Sequence, residues 1–238
     1  MKVSLLKAFI VFCVAAFAAI VLWFNLFVRS EIKRVGPYES ISVDGPIQVF
    51  LVSGLRDSIR IVADENLLPI VAANVKTKNL VLGVTGEVVH ERVLKVYASL
   101  ENLKKIHLSG ASTLDVAGTL VGDTIALLLD GAAEGRIKVA CGAIKVEMHD
   151  AANIFLAGLT DLFELKVYDV SDIVAYNLLA KRCEILVKAS RQSPGILRVS
   201  VSDTLEVRMK GQSGRVVYYK GEPTVFQDID GEGQVVAR

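Results

Sequence analysis

The feature that most constrains this 238-residue chain is a repeat of about 20 residues that begins after Leu100. Each copy has an apolar-x-apolar triplet, then a polar or aromatic anchor, then small or turn-forming residues. The anchors lie 21, 19, 19, 20 and 22 residues apart, at Ser109, Asp130, His149, Tyr168, Lys188 and Lys210. Helical repeats need about 33 residues or more, so this period excludes them, and the leucine-and-asparagine framework of leucine-rich repeats is absent. The repeat predicts an all-β fold, a parallel β-helix or closely related roll with coils of roughly 20 residues.

The region before the repeat predicts short alternating strands separated by glycine turns. Asp64 is placed to cap a short helical turn, which Pro69 keeps short. The predicted strands are Ile41–Val43, Ile47–Val52, Ser58–Ala63, Leu80–Leu82 and Val93–Ala98.

The N-terminus carries a long apolar segment. Residues 8–28 contain a single polar residue, Asn25, and as a helix they would be about 31 Å long, enough to cross a bilayer core. Lys2 and Lys7 precede the segment, as in a secretory signal, but the apolar run is longer than a typical signal peptide requires. We therefore predict one N-terminal transmembrane helix acting as an uncleaved signal-anchor. A cleaved signal peptide and a buried core helix are the alternatives.

These features divide the chain into an anchor with its juxtamembrane linker, residues 1–34, and an exported domain, residues 35–238. The first part holds five basic residues and one acidic residue, which leaves 22 basic and 25 acidic residues in the second. Such a balance argues against a nucleic-acid binder. Three cysteines exclude a disulfide scaffold and a multi-thiolate zinc site, so Cys141 and Cys183 are predicted to be free, buried thiols.

The corners of the repeat provide the candidate polar patch. If the anchors stack, Asp150 lies against Asp169, with Asp130 and His149 nearby, while Glu134, Asn153 and Asp172 form a second ladder. Stacked carboxylates raise one another's pKa or attract a cation, and some β-helix enzymes cut acidic polysaccharides with such rows. The alternative is an exposed corner built from turn-forming residues that tolerate left-handed backbone geometry. The candidate patch comprises Asp130, His149, Asp150, Asp169 and Asp172.

No other pattern indicates chemistry. The chain lacks a nucleophile elbow, a phosphate-binding glycine loop and a paired-cysteine motif, so we predict no catalytic residue, no cofactor and no metal ligand. Tyr218 and Tyr219 are predicted to cap the coil interior, with a role as ligand-contact residues as the alternative. A basic stripe near the C-terminus is either a site for an anionic partner or charge that protects the last strands from edge-to-edge pairing, and its residues are Arg191, Arg198, Arg208, Lys210 and Arg215.

Four segments resemble a known family, the putative auto-transporter adhesin head (GIN) domain of bacterial envelope proteins. They are Ile41–Leu51, Ile61–Leu67, the Ser-Gly-Ala-Ser corner within Leu103–Ser112, and the Tyr-x-Gly-x-Pro ending within Tyr218–Pro223. Later corners depart from Ser-Gly-Ala-Ser. The resemblance covers residues 36–238 and implies a right-handed β-helical domain outside the cytoplasmic membrane, with no catalytic residues to carry over.

Together these observations lead to an expectation about function. The chain is expected to be a single-pass protein of the cytoplasmic membrane, held by residues 8–28, with its β-helix on the extracytoplasmic side. It is expected to be non-enzymatic and adhesin-like, with a protein or polysaccharide ligand on the β-helix surface and no nucleic acid. The alternatives are an envelope-stress or regulatory sensor that contacts a membrane partner, and a small polysaccharide-acting enzyme.

Overall fold

The computed structural model describes residues 28–86, 94–189, 195–211 and 214–238. These residues form an all-β solenoid of about six turns, which confirms the predicted fold class. Among them, no helix is long and apolar enough to span a membrane. Residues 8–27 of the predicted transmembrane segment lie outside the described ranges.

The short strands belong to the two ends of the solenoid. The N-terminal ones are β1 (Val28–Arg34), β2 (Ser40–Asp44), β3 (Gln48–Val52), β4 (Ser58–Asp64), β5 (Val71–Lys76), β6 (Asn79–Val84), β7 (Leu94–Ser99), β8 (Lys105–Ser109) and β9 (Thr113–Val116). The C-terminal ones are β15 (Val216–Lys220), β16 (Thr224–Ile229) and β17 (Gln234–Ala237).

The middle coils are built from five longer strands that bend around the solenoid. They are β10 (Leu120–Leu129), β11 (Glu134–Met148), β12 (Asn153–Tyr168), β13 (Asp172–Ala189) and β14 (Ile196–Gly211). Each pairs in parallel with the equivalent strand of the next coil. The backbone groups of one coil are therefore satisfied by the coils on either side, as the predicted stacking requires.

The repeat anchors stack as predicted. Tyr168 pairs with Lys188, and Lys188 pairs with Lys210. In the earlier coils the Asp130 N–H donates to the Leu108 carbonyl and the His149 N–H to the Leu129 carbonyl, each at 2.9 Å. The 19- to 22-residue spacing is therefore the length of one coil.

The N-terminal end departs from simple winding. Strands β2 and β3 lie between two coils, because they pair in parallel with β6 and β7 on one side and with β8 and β9 on the other. Strand β4 runs antiparallel to β7, and β5 runs antiparallel to β6. These antiparallel strands cover the first coil, so the end of the stack is not left as an open parallel edge.

Strand β1 completes this N-terminal cap by pairing antiparallel with β4, from Val28 opposite Asp64 to Arg34 opposite Ser58. Residues 29–34, which the sequence assigned to a juxtamembrane linker, are thus part of the sheet. The predicted helical turn is a 3-10 helix at Leu68–Ile70 whose N-cap is Leu67. The prediction that Asp64 caps it is wrong; the Asp64 carbonyl instead accepts the Leu67 N–H at 2.8 Å.

The core is a set of aliphatic ladders inside the coil. Strands alternate between buried and outward side chains, so each buried position repeats one coil later. One ladder runs Ile106, Leu127, Val146, Leu165, Ile185 and Val207, all between 0% and 2% exposed. Phe163 and Cys183 are neighbours in another. Cys141 and Cys183 are both free thiols, as predicted; Cys183 is buried, whereas Cys141 is partly exposed and not buried as predicted.

Candidate functional site

The stacked corner of the middle coils shows what Asp150 and Asp169 do locally. Both have φ of +58°, in the left-handed region. Gly131 (φ +73°) and Gly110 (φ +69°) occupy the corner position of Asp150 one and two coils earlier. Aspartate tolerates this conformation better than most residues. The Asp150 carboxylate also accepts the Gly131 N–H at 3.2 Å. These contacts support the turn-forming interpretation of the corner.

The structure divides the other members of the predicted patch between separate partners. Asp130 Oδ2 lies 2.7 Å from His107 Nε2, rather than joining His149. His149 Nε2 lies 3.2 Å from Glu147 Oε1, and its ring stacks on Tyr168 with centroids 4.5 Å apart. The anchor column therefore forms local pairs across and along the coils.

Asp172 lies in the second predicted ladder, which the structure confirms. Glu134 pairs with Asn153, and Asn153 pairs with Asp172. Asp172 Oδ1 accepts the Ile196 N–H at 2.9 Å and so ties together two successive coils. Among the described ranges, no group of three or more histidine, cysteine, aspartate or glutamate side chains is arranged to hold a metal ion.

The prediction that Arg215 belongs to an exposed basic stripe is wrong, because Arg215 is 0% exposed. Its guanidinium donates hydrogen bonds to the carbonyl oxygens of Ser171, at 2.6 Å, and of Asp169. Burial lowers the pKa of Arg215. Arg208 pairs with Glu206 on the surface, and Arg191 lies outside the described residues. Sequence alone could not place Arg215 inside, because its partners are backbone carbonyls more than 40 residues away.

The most continuous feature of the surface was missed in the sequence. It is a column of outward side chains that crosses ten neighbouring strands, which we call the aromatic–arginine column. In spatial order its residues are Arg60, Tyr97, Phe50, Asp115, Arg136, Phe155, Val174, Arg198, Tyr218 and Val236. At a strand spacing of about 4.8 Å the column is about 43 Å long.

An arginine stands next to an aromatic ring three times in this column. The guanidinium of Arg60 lies 4.2 Å from the Tyr97 ring centroid, and that of Arg136 lies 5.8 Å from the Phe155 centroid. Arg198 is the direct strand neighbour of Tyr218. A cation beside an aromatic face is attracted by the quadrupole of the ring, so Arg60 and Arg136 each place a charge next to an aromatic ring.

The rings of the column are accessible in different degrees. Phe155 is 43% exposed, whereas Phe50 and Tyr97 are half-buried and stack on one another with centroids 5.2 Å apart. Tyr218, which the sequence predicted to cap the coil interior, faces outward with Arg238 4.3 Å from its ring. Tyr219 packs against the core, as predicted.

A different outward column is purely aliphatic. Val121, Ala140, Leu159 and Leu179 are successive neighbours on β10 to β13, and the three larger side chains are 71%, 61% and 47% exposed in that order. This column offers contact area without charge or hydrogen-bonding groups. It can add affinity to a contact but cannot orient a polar ligand.

The N-terminal cap is fastened to the first coils by an ion-pair group. The Glu39 carboxylate lies 2.7 Å from the Lys104 ammonium and 2.6 Å from that of Lys78. The hydrogen bond from Lys104, followed by that from Lys78, lowers the pKa of Glu39 to about 2. The group is exposed, so it contributes a pH-dependent tie rather than a buried site.

Comparison with solved structures supports the fold. The solenoid is similar to a putative adhesin from Bacteroides fragilis NCTC 9343 (TM-score 0.77, 18% identity) and to a putative adhesin from Parabacteroides distasonis ATCC 8503 (TM-score 0.72, 22% identity). It is also similar to a putative lipid binding protein from the latter organism (TM-score 0.68, 15% identity). Each similarity covers 89% of this chain and 97% of the other.

The sequence itself gives the family. No curated protein matches the chain. Residues 37–223, however, match the family described as putative auto-transporter adhesin, head GIN domain, which covers the stacked strands from the cap to β15. This range agrees with the four motifs quoted from the sequence. The chain belongs to the putative auto-transporter adhesin head GIN domain family.

Proposed function

We propose that this protein is a membrane-anchored, exported head domain that binds a ligand along the outside of its solenoid and performs no catalysis. The observation that carries the proposal is the aromatic–arginine column, a continuous row of outward side chains, many of them charged or aromatic, on a rigid scaffold. Membership of a family described as adhesin heads supports the same function.

The scaffold suits recognition of an extended ligand. Backbone pairing fixes each outward side chain about 4.8 Å from its neighbour in the next coil. A ligand lying along the axis therefore meets groups that are already positioned, and little conformational entropy is lost on binding. A globular enzyme pocket has a different form, with a few groups converging in a concave site.

The contacts made within the candidate polar patch support a binding function rather than a catalytic one. Asp150 and Asp172 accept backbone N–H groups from neighbouring coils, and His149 is stacked against Tyr168. Each of these side chains has a local contact that accounts for its position. Corner geometry rather than an acid–base pair is the function that we assign to them.

In this proposal residues 8–28 hold the protein in the cytoplasmic membrane with the solenoid outside. Strand β1 begins at Val28, the last residue of that segment, and belongs to the N-terminal cap. The cap would then face the membrane, and the later coils would extend away from it toward a ligand.

The test uses cells that make the full chain and matched cells that do not. Membrane fractionation and protease treatment of intact cells are expected to find the chain in the cytoplasmic membrane fraction and its solenoid outside. Photo-crosslinking from outward positions of β12 is expected to capture extracellular polymer or another cell. Capture of one defined protein of the same membrane would favour the sensor alternative, and a solenoid on the cytoplasmic side would refute the proposal.

A further inference from the structure

We infer that the aromatic–arginine column is the binding line for a linear, carboxylate-bearing polysaccharide that lies along the solenoid axis. This inference rests on the proposed function and names its ligand class. The exposed Phe155 ring and the arginines of the column would recognise the two parts of such a polymer. The apolar C–H face of a pyranose ring packs on an aromatic plane, and its carboxylate accepts hydrogen bonds from a guanidinium.

The spacing along the column fits a polymer that is engaged at intervals. Tyr97 and Phe155 are four strands apart, about 19 Å, and Phe155 and Tyr218 are three strands apart, about 14 Å. Between these rings lie Phe50, which stacks on Tyr97, and otherwise only smaller or charged side chains. A chain of rigid sugar rings would contact an aromatic–arginine pair every few residues.

The local charge differs from that of the whole domain. Residues 35–238 have three more acidic than basic side chains. In the described column and its immediate flanks the balance is reversed, with seven basic against three acidic residues. The basic ones are Arg60, Lys95, Arg136, Lys138, Arg198, Lys220 and Arg238, and the acidic ones are Asp115, Glu134 and Asp172. This face therefore favours an anionic ligand on a domain that otherwise repels one.

The two central arginines differ in how they are held. Arg136 is already paired with Glu134 at 2.5 Å and with Asp115 at 3.6 Å, which leaves its side chain 58% exposed. For Arg198 the structure gives no acidic partner among the described residues, and it is half-buried beside Tyr218. Arg198 is thus the cation whose charge is most available to a ligand carboxylate, and Arg136 would exchange one carboxylate partner for another.

The same chemistry favours a polysaccharide over a nucleic acid. Single-stranded nucleic acid is held by stacking successive bases on aromatic side chains in a strongly basic groove. Here the three pairs are separated by several strands on a flat face, and acidic residues interrupt the row. Polar uncharged neighbours such as Thr113 and Asn153 suit hydroxyl groups.

The experiment measures binding of the full chain, in detergent micelles, to immobilised alginate, a linear polyuronate. Amylose and single-stranded poly-dT are the neutral and the nucleic-acid probes. The test variants are Arg136→Gln/Arg198→Gln and Phe155→Ser. The matched control is Lys166→Gln/Lys188→Gln, which removes the same charge from outward positions of β12 and β13 outside the column. Unchanged thermal unfolding shows that each variant is folded.

The inference predicts alginate binding that weakens with added salt, about tenfold weaker in the double arginine variant, weaker in Phe155→Ser and unchanged in the lysine control. Equal loss in the lysine control, no effect of the column variants, or tighter binding of poly-dT than of alginate would each overturn it. Failure to bind alginate, with attachment of cells through the full chain intact, would overturn this inference and leave the proposed function standing. If cells that make the full chain attach no better than matched cells that do not, the proposed function is refuted.

Discussion

Replacing Gly158 with alanine is expected to destabilise the solenoid strongly, because an added Cβ would collide with the backbone of the neighbouring coil. Gly158 lies in β12 directly opposite Val139 of β11, with φ of +115°. A Cβ added there would lie 1.9 Å from the Val139 carbonyl oxygen. Gly54, in the turn after β3, has φ of +87° but open space around the same position. It provides the matched control.

The magnitude follows from this distance. A Cβ contact below 3.0 Å is essentially never seen. If the clash were removed only by moving the two coils apart, they would have to separate by about 1.1 Å. A hydrogen bond of about 2.9 Å would then stretch to about 4.0 Å and be lost. Losing about two such bonds costs about 1–3 kcal/mol. The unfavourable backbone conformation of an L-residue adds about 1–2 kcal/mol, for a total of about 2–5 kcal/mol.

The assay is thermal unfolding of the full chain followed by circular dichroism. For a domain of this size each kcal/mol lowers Tm by about 2–4 °C. Gly158→Ala should therefore lower Tm by about 4–20 °C, and Gly54→Ala, which has only the conformational cost, should lower it by about 2–8 °C. If Gly158→Ala is no more destabilising than Gly54→Ala, the collision of a Cβ with the Val139 carbonyl is not what requires glycine.

Three further predictions concern pH, thiols and the corner. The lysine partners hold the pKa of Glu39 at about 2, so its contribution to stability is complete above about pH 4.5 and is lost toward pH 2. Between these pH values the Tm of the unmodified chain should fall more steeply than that of Glu39→Gln. Parallel Tm–pH profiles of the two proteins would contradict this prediction. Burial raises the pKa of Cys183, so in a Cys13→Ser background a thiol reagent should modify Cys141 first and Cys183 only on unfolding, and equal rates by mass spectrometry would argue against it. Asp150→Gly should keep Tm nearly unchanged while Asp150→Ala costs about 1 kcal/mol, and added calcium should not shift Tm; a calcium-dependent rise that Asp150→Ala abolishes would favour a cation site.

The middle coils were predictable because the repeat is carried by local pattern. Apolar residues alternate with polar ones within each strand, and small or turn-forming residues mark each corner, so both strand and register could be read from spacing alone. Strand β5 was missed because Val71–Lys76 follows the Pro69 turn and has no counterpart in the repeat. It is defined by antiparallel pairing with β6.

The sequence predicted the stacked positions of the corner aspartates correctly but did not predict which groups they contact. Asp150, Asp169 and Asp172 occupy the stacked positions expected from the sequence, yet the carboxylates of Asp150 and Asp172 accept backbone N–H groups of neighbouring coils. Arg215 was assigned to a surface stripe with the other basic residues near the C-terminus, whereas its guanidinium reaches carbonyl groups inside the stack. Side-chain chemistry at a corner depends on which backbone atoms of the next coil are within reach, and spacing does not reveal them.

The sequence by itself determined the period, the strands of the regular coils, the stacking of the anchors and the family. Only the tertiary structure decided how the first hundred residues close the end of the solenoid and which outward residues share a column. Residues of one column come from segments that are often 20 residues apart, and β2 and β3 are inserted between strands that follow them in the chain. Periodicity describes neighbours within a strand, whereas a binding surface is made of neighbours between strands, and these are set by backbone pairing across the whole stack.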